Sequence, residues 1–268
     1  MIDARIALVT SRAPVGAVTE NLDRSRQWAI KAAEAGARLT CFPELNITGY
    51  TTRGSMADLA QTIPGPVTDA LAQIAAETGL ILLAGLAEHN PSGPPYATQG
   101  IFHPDGQIEY YRKVHLSPPE KDLFTAGDQV PVFRCRYFAF GVQLCYDSHF
   151  PELSTAMAAK GADIIFMPHA SPRGAAAAKH NSWMRHLPAR AFDNGLFIAA
   201  CNQWGVNGKG IAFPGNALVI GPDGNVLKKK ISGEGEQMLL VDLAATDLAA
   251  VRGHAMRYFF PHRRPELY

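Results

Sequence analysis

The chain has 268 residues, 47% of them hydrophobic, and a formal net charge of +1. This length and composition can bury one large core, so we expect a single domain over residues 1–268. The near-neutral charge does not indicate binding to nucleic acid or to an anionic membrane surface. No apolar run approaches the ~18 residues of a membrane span. The N-terminus lacks a long apolar core, and the four cysteines form no C-x-x-C pair or zinc spacing, which favours a reduced, cytoplasmic protein.

Short apolar runs alternate with amphipathic helical patterns along the chain. The runs predict strands at 5–10, 39–42, 80–88, on either side of the turn at 103–106, and at 130–133, 138–144, 162–167, 196–201 and 217–220. The helical patterns predict helices from about 21 to 36, from 66 to 79, at 151–161 and at 181–194, the last with a kink or break at Pro188.

This alternation predicts an α/β protein, and the tight hairpins within it exclude a purely parallel sheet. Strands this apolar would be buried on both faces if two mixed sheets packed together with helices outside. The turn Pro-Asp-Gly occurs at 104–106 and again at 222–224, each time followed by a strand that ends in lysine. This recurrence predicts a core built from two similar halves.

Three polar residues, Glu44, Lys113 and Cys145, follow the ends of apolar strands, where the sites of α/β sheets gather. Cys145 precedes a helix that Pro151 would begin, so the positive end of that helix should favour the thiolate. Each residue also has a purely structural interpretation: a solvated turn residue, an exposed hairpin tip and a small core residue, respectively. Together they form an acyl-transfer set, in which the carboxylate takes the thiol proton and later activates water, while the ammonium and the backbone N–H of Tyr146 hold the oxyanion.

The same residues lie within three longer blocks: FPELNITGY at 42–50, YRKVHL at 111–116 and GVQLCYDSHFPE at 141–152. In their sequence, order and spacing these blocks resemble the nitrilase superfamily of carbon–nitrogen hydrolases, and the resemblance covers nearly the whole chain. It implies a four-layer α-β-β-α sandwich with two mixed β-sheets. It implies no metal and no organic cofactor.

The resemblance also implies a role for each residue. Glu44 would be the general base, Lys113 the oxyanion stabiliser and Cys145 the nucleophile. Glu120, which follows the lysine as a glutamate does in the family, would orient Lys113; a part in shuttling protons stays open. Cys-Tyr-Asp at 145–147, where true nitrilases commonly have Cys-Trp-Glu, favours a small amide or carbamoyl substrate over a nitrile.

Three other functions stay open: a nitrilase, a catalytically silent binding relative, and a Cys–His hydrolase with His149 or His169 as base. The intact set of four polar residues argues against the silent relative. Ser148 and His149 stand where the family's D-amino-acid carbamoylases have paired arginines, so carboxylate recognition by that route is not expected.

Candidate pocket residues come from the same blocks and from the segment 168–174, which follows a buried strand. They are Tyr50, His115, Tyr146, His149, His169, Ser171 and Arg173. His115 matches a family histidine that lines the pocket. Arg173 is the fixed positive charge of its segment and would suit a substrate carboxylate; the alternative is that it faces solvent or pairs with a surface acid.

The C-terminal arm at about 254–268 carries basic and aromatic residues and resembles the family's dimer-contact arm; the alternative is a partly ordered terminus. We therefore expect a homodimer or higher homo-oligomer. Its partner in the reaction would be a small-molecule substrate, with no nucleic acid and no membrane involved.

Overall fold

Two six-stranded mixed sheets form the centre of the structure, a computed structural model that describes residues 1–172, 174–231 and 234–267. The strands are β1 Ala4–Thr10, β2 Leu39–Cys41, β3 Ile81–Glu88, β4 Tyr96–Phe102, β5 Ile108–Arg112, β6 Phe133–Arg134, β7 Ala139–Val142, β8 Ile164–His169, β9 Phe197–Asn202, β10 Trp204–Val206, β11 Ala212–Pro214, β12 Asn216–Ile220, β13 Val226–Ile231 and β14 Gln237–Leu243. The α-helices are α1 Val18–Glu34, α2 Pro66–Thr78, α3 Pro151–Ala159, α4 Ala176–Trp183, α5 Leu187–Asn194 and α6 Ala245–Arg252.

The two sheets repeat one pairing pattern. The first has the order β14-β1-β2-β3-β4-β5, with β1, β2 and β3 parallel and the other neighbours antiparallel. The second has the order β6-β7-β8-β9-β12-β13, with β7, β8 and β9 parallel and the other neighbours antiparallel. The Pro-Asp-Gly turns join β4 to β5 and β12 to β13, which are equivalent positions in the two sheets. The predicted construction from two similar halves is confirmed.

Side-chain alternation along β1 shows how the layers are held together. Ile6 and Leu8 belong to the large apolar cluster that the two sheets share, whereas Ala7 and Val9 pack in a second cluster with α1 and α2. Successive strand residues point to opposite faces, so a strand covered on both sides must be apolar at every position. Helix α5 packs on β9 and β12 of the second sheet, and α3 packs beside α5. The predicted four-layer α-β-β-α sandwich is confirmed.

The structure differs from the sequence prediction in several elements. The break predicted in the helix at 181–194 is present, because the segment is divided into α4 and α5 with Pro188 in the first turn of α5, where a missing N–H costs nothing; but α4 begins earlier than predicted, at Ala176. A short 3₁₀ helix, Cys145–His149, separates the nucleophile candidate from α3. Strand β14, helix α6 and the hairpin β10–β11 lie where no element was predicted.

The chain after α6 continues through two short 3₁₀ turns, Phe260–His262 and Pro265–Leu267. It exposes three large apolar side chains, those of Met256, Phe259 and Leu267. The dimer-contact role of this arm stays a prediction. Within the described ranges, no helix is both long and apolar enough to cross a membrane.

Glycine at position 85 lets β3 approach the loop that carries Glu44. The Gly85 N–H donates to Asn46 Oδ1 at 2.8 Å, and its carbonyl accepts from the N–H of Ile47 at 2.9 Å. A Cβ on Gly85 would lie 2.3 Å from the backbone nitrogen of Leu45, closer than any real contact. The loop after β2 therefore rests directly on the backbone of β3.

We expect Gly85→Ala to lower the free energy of unfolding by ~1–3 kcal/mol, because the added methyl group overpacks the contact with Leu45. Gly93→Ala is the matched control, since the atom nearest to its new Cβ would be 3.7 Å away. Urea unfolding of both variants measures the difference. Equal midpoints for the two variants would show that the loop moves away at no cost.

Candidate active site

A cavity of about 440 Å³ opens beside the residues that follow β5, β7 and β8. Its described walls combine hydroxyl, imidazole and aromatic groups with two lysines and one glutamate. They are formed by Tyr50, Thr52, Lys113, Ser117, Pro118, Pro119, Glu120, Cys145, Tyr146, His149, His169, Ala170, Ser171, Pro172, Gly174, Ala178, Lys179, Ser182, Trp183, His186 and Ile211.

Glu44 lies behind the cavity wall, and both carboxylate oxygens and the backbone carbonyl oxygen accept hydrogen bonds. Its Oε1 accepts from Nζ of Lys113 at 2.8 Å, and its Oε2 accepts from the N–H of Ala170 at 2.9 Å. Its backbone carbonyl accepts from the side chain of Gln203 at 2.8 Å. Lys113 follows a strand of the first sheet, whereas Ala170 and Gln203 follow strands of the second, so Glu44 bridges the two sheets.

Lys113 follows β5 and is fully buried between two carboxylates. Its Nζ lies 2.8 Å from Glu44 Oε1 and 2.8 Å from Glu120 Oε1. The other oxygen of Glu120 accepts from the N–H of Ser117 at 2.7 Å. The predicted neighbourhood of Glu44, Lys113 and Glu120 is therefore present, and the cluster meets the cavity through Lys113 and Glu120.

The two carboxylates differ in their readiness to take a proton. Burial raises the pKa of Glu44 above its usual range, against the opposing ammonium of Lys113. Burial also acts on Glu120, but Lys113 and the N–H of Ser117 outweigh it and lower the pKa of Glu120. Burial alone would lower the pKa of Lys113; the two carboxylates overcome this and raise it well above normal. Lys113 thus stays charged, and Glu44 is the better proton acceptor.

Cys145 has a left-handed backbone conformation, with φ of +43°, that non-glycine residues rarely adopt. Asp147, fully buried two residues later, holds this turn by accepting from the N–H of Leu144 at 2.9 Å and from the hydroxyl of Tyr111 at 2.8 Å. The hydroxyl of Ser148 donates to the carbonyl of Cys145 at 2.7 Å. Strained backbone of this kind persists where its surroundings fix it, as they do here.

The expectation of a helix-stabilised thiolate is wrong for this structure. Burial is the main cause that raises the pKa of Cys145 to about 12, and the carboxylate of Glu44 adds more to this rise than the ammonium of Lys113 takes away. The 3₁₀ helix Cys145–His149 also separates Sγ from the first turn of α3. The resting thiol is therefore protonated and needs a base.

His115 is not among the described residues that line the cavity, which corrects its predicted place in the pocket. Its N–H and its Nδ1 both lie within hydrogen-bond distance of Asp147 Oδ1, at 2.8 and 2.9 Å, and its ring stacks on Phe150 at a centroid distance of 3.8 Å. His115 thus supports the turn that carries Cys145. Asp147 is the partner of both polar contacts of His115. The sequence prediction did not single it out, although it lies within the third sequence block.

Five of the other predicted pocket residues line the cavity: Tyr50, Tyr146, His149, His169 and Ser171. Nδ1 of His169 is 2.8 Å from the carbonyl of Met167, and burial followed by the charge of Lys179 holds its pKa well below the usual range. His169 is therefore neutral at neutral pH. The remaining prediction, Arg173, lies outside the described residues.

Sequence analysis missed three residues that α4 and the turn after it bring to the cavity: Lys179, Trp183 and His186. Nζ of Lys179 donates to Oγ of Ser171 at 2.7 Å and lies 5.5 Å from the ring centre of Trp183. The ring of His186 stacks on His149 at 4.5 Å. The spacing of Lys179 and Trp183, four residues apart on one helix, was the available signal, but it does not indicate which way that face points.

Comparisons with known proteins agree with this geometry. The carbon–nitrogen hydrolase family model matches residues 5–253. A nitrilase of Pyrococcus abyssi is 32% identical over 98% of both chains, and an omega-amidase of Xenopus tropicalis is 30% identical over 87% of this chain and 86% of its own. A solved amidase from Nesterenkonia sp. has a TM-score of 0.81 and 30% identity, and the match covers 98% of this chain and 94% of that one.

The two-sheet sandwich and these similarities define an enzyme that hydrolyses carbon–nitrogen bonds. The chain belongs to the carbon–nitrogen hydrolase family, the nitrilase superfamily, and its relatives support the amidase branch. The resemblance found in the three sequence blocks is thereby confirmed.

We expect iodoacetamide to alkylate Cys145 faster than Cys41 and Cys201, because Cys145 lines the cavity whereas those two cysteines are fully buried. With a pKa of about 12, its labelling rate should rise roughly tenfold per pH unit between about pH 7 and pH 10. Brief labelling followed by peptide mass mapping measures both. A plateau below about pH 8 would mean that the thiolate is stabilised after all, and equal labelling of Cys41 or Cys201 would mean that Cys145 is not specially accessible.

Proposed function

We propose that the protein hydrolyses a small amide or carbamoyl compound through a covalent acyl-enzyme on Cys145. The observation that carries this proposal is the buried chain from Glu44 through Lys113 to Glu120, joined by two bonds of 2.8 Å, at the wall of the cavity that Cys145 lines. These are a base, a fixed positive charge and a nucleophile at one cavity, which is the set that acyl transfer needs.

In the first half of the reaction, Glu44 takes the Sγ proton as Cys145 attacks the carbonyl carbon. The raised pKa of Cys145 requires that proton transfer accompany the attack, and the raised pKa of Glu44 makes it a stronger base for this step. The carbonyl π electrons move to oxygen, where the charge of Lys113 and the backbone N–H of Tyr146 stabilise them. The C–N bond then breaks, and the nitrogen leaves as ammonia with the proton that Glu44 held.

In the second half, Glu44 takes a proton from water while the hydroxide oxygen attacks the thioester carbon. The C–S bond breaks, the acid product forms, and Glu44 returns its proton to Sγ of Cys145. Glu120 reacts at no stage. Its lowered pKa keeps it anionic, so it holds Lys113 charged and in place throughout.

A relative with a solved structure supports covalent chemistry at the thiol. Variants of the Nesterenkonia amidase, 29% identical to this chain with a TM-score of 0.81, show covalent addition of the acetamide moiety of fluoroacetamide, and Michael addition of acrylamide, at their active-site cysteine. The equivalent attack by Cys145 on an amide carbonyl would give the proposed acyl-enzyme.

A nitrile is the second candidate substrate, because the relative from Pyrococcus abyssi is named a nitrilase. Attack of Cys145 on a nitrile carbon would give a thioimidate instead of a thioester. Addition of water and loss of ammonia would then lead to the same acid. The same side chains would serve both reactions, so the substrate class must be measured.

We expect Glu44→Gln to lower the rate of ammonia release by ~10²–10⁴, because the variant loses its general base. His149→Ala should cost far less, since His149 stacks on His186 at the cavity instead of contacting the Glu44–Lys113–Glu120 chain. Lys113→Met and Cys145→Ala should both be nearly inactive. Intact-protein mass spectrometry of Glu44→Gln with substrate should also show added acyl mass, because deacylation needs the same base. The reverse ranking of Glu44 and His149 would favour a Cys–His hydrolase.

Parallel assays with a matched amide, nitrile and N-carbamoyl compound of the same carbon skeleton should show the fastest turnover with the amide or the carbamoyl compound. An amide yields acid and ammonia, whereas a carbamoyl compound yields amine, carbon dioxide and ammonia, so product analysis separates them. Cys145→Ala is the control for background hydrolysis in each assay. Turnover of the nitrile alone would show that the protein is a nitrilase.

A further inference from the structure

Lys179 presents a fixed cation to the cavity from outside the catalytic cluster. It lies on α4, and its Nζ donates to Oγ of Ser171 at 2.7 Å and lies 5.5 Å from the ring centre of Trp183. Ser171 is itself held by Asn202, whose side chain accepts from the Ser171 N–H at 2.9 Å and donates to its carbonyl at 3.0 Å. The ammonium therefore rests against a wall that is tied to the end of β9.

The charges around the cavity are unequally distributed. Around Lys113, two carboxylates surround one ammonium, so the catalytic end carries more negative than positive charge. An anionic group would be repelled there, whereas a neutral amide would not. Among the described lining residues the other lysine is Lys179, on the wall formed by α4 and the segment after β8.

The field of Lys179 reaches its neighbours at the cavity. Burial and then the charge of Lys179 lower the pKa of His169. For His186, burial and the charges of His149 and Arg190 come first and Lys179 follows them, and together they lower its pKa to about 4. Both imidazoles are therefore neutral at neutral pH, and among the described residues of this wall the fixed positive charge is that of Lys179. The charge of Lys179 also acts to lower the pKa of the Cys145 thiol, against the larger effects of burial and Glu44. Lys179 and Cys145 therefore interact electrostatically across the cavity that both residues line.

We propose that Lys179, together with the hydroxyl of Ser171, binds a carboxylate of the substrate whose neutral amide or carbamoyl group reaches Cys145. The spacer between the two ends would lie along the ring of Trp183. This inference rests on the proposed hydrolysis at Cys145 and names its substrate class as compounds with a carboxylate at the opposite end from the scissile group. An ammonium and a hydroxyl 2.7 Å apart present two adjacent donors, which suits the two oxygens of a carboxylate.

The test compares two substrate series by ammonia release. One series contains the monoamides of linear dicarboxylic acids of increasing length, and the other the neutral amides in which an isopropyl group replaces the carboxylate. We expect the wild-type enzyme to prefer the anionic member of the best-fitting pair in kcat/KM. Lys179→Met should lower this preference by about 10- to 100-fold, mainly through KM of the anionic substrate, as expected for a lost charged hydrogen bond.

Lys31→Met is the matched control, because Lys31 also lies over an indole ring, 4.6 Å from the centre of Trp28, but on α1 and away from the cavity. It should leave the preference unchanged. Lys179→Arg should retain part of the preference, because it keeps the positive charge. Circular dichroism and thermal unfolding of each variant separate a binding effect from a loss of fold.

Three outcomes would overturn the inference. A wild-type enzyme that hydrolyses the neutral series as well as the anionic one does not select a carboxylate. If wild type prefers the anion and folded Lys179→Met keeps that preference, another group binds it. In both cases ammonia release that depends on Cys145 would leave the proposed function standing. No ammonia release by wild type from either series, or from the carbamoyl analogues, would instead count against the proposed function and with it against this inference.

Discussion

The ammonium of Lys113, fully buried between the carboxylates of Glu44 and Glu120, is the interaction on which the rest of the site depends. Buried charges cost several kcal/mol each unless they are paired and hydrogen-bonded, so this cluster exists only while all its members are in place. Its members come from the loop after β2, the end of β5 and a 3₁₀ turn. Because Glu44 also accepts a hydrogen bond from Ala170, beyond β8, the cluster fixes the two sheets relative to each other at the edge where the cavity opens.

A second constraint acts on the thiol. The left-handed conformation of Cys145 costs ~1–3 kcal/mol and must be held by its surroundings. Asp147 supplies them, since one buried carboxylate accepts from the chain just before the cysteine, from Tyr111 on β5 and from His115. The hydrogen bonds that hold the turn at Cys145 therefore come partly from β5, the strand that ends just before Lys113. The positions of Cys145 and Lys113 are thereby linked through Asp147 and Tyr111.

The electrostatics of the cavity follow from the same architecture. Burial raises the pKa of Glu44 and of Cys145, so each group gives up its proton less readily than it would in water. In the proposed reaction the thiol is protonated at rest, so its proton must pass to the carboxylate as the sulfur attacks. On the other wall, His169 is kept neutral, and Lys179 provides positive charge.

The sequence by itself determined the layers, because strands buried on both faces must be apolar throughout and helices covering one face must not be. It also determined the positions of Glu44, Lys113 and Cys145, since strand ends and three family-like blocks mark them without reference to the fold. Only the tertiary structure decided the protonation of Cys145, because desolvation and the nearness of Glu44 depend on what packs around the thiol. It likewise decided the roles of Asp147 and Lys179: an aspartate in a turn and a lysine on an alanine-rich helix are ordinary in sequence. They acquire their contacts only when distant strands and α4 converge on one cavity.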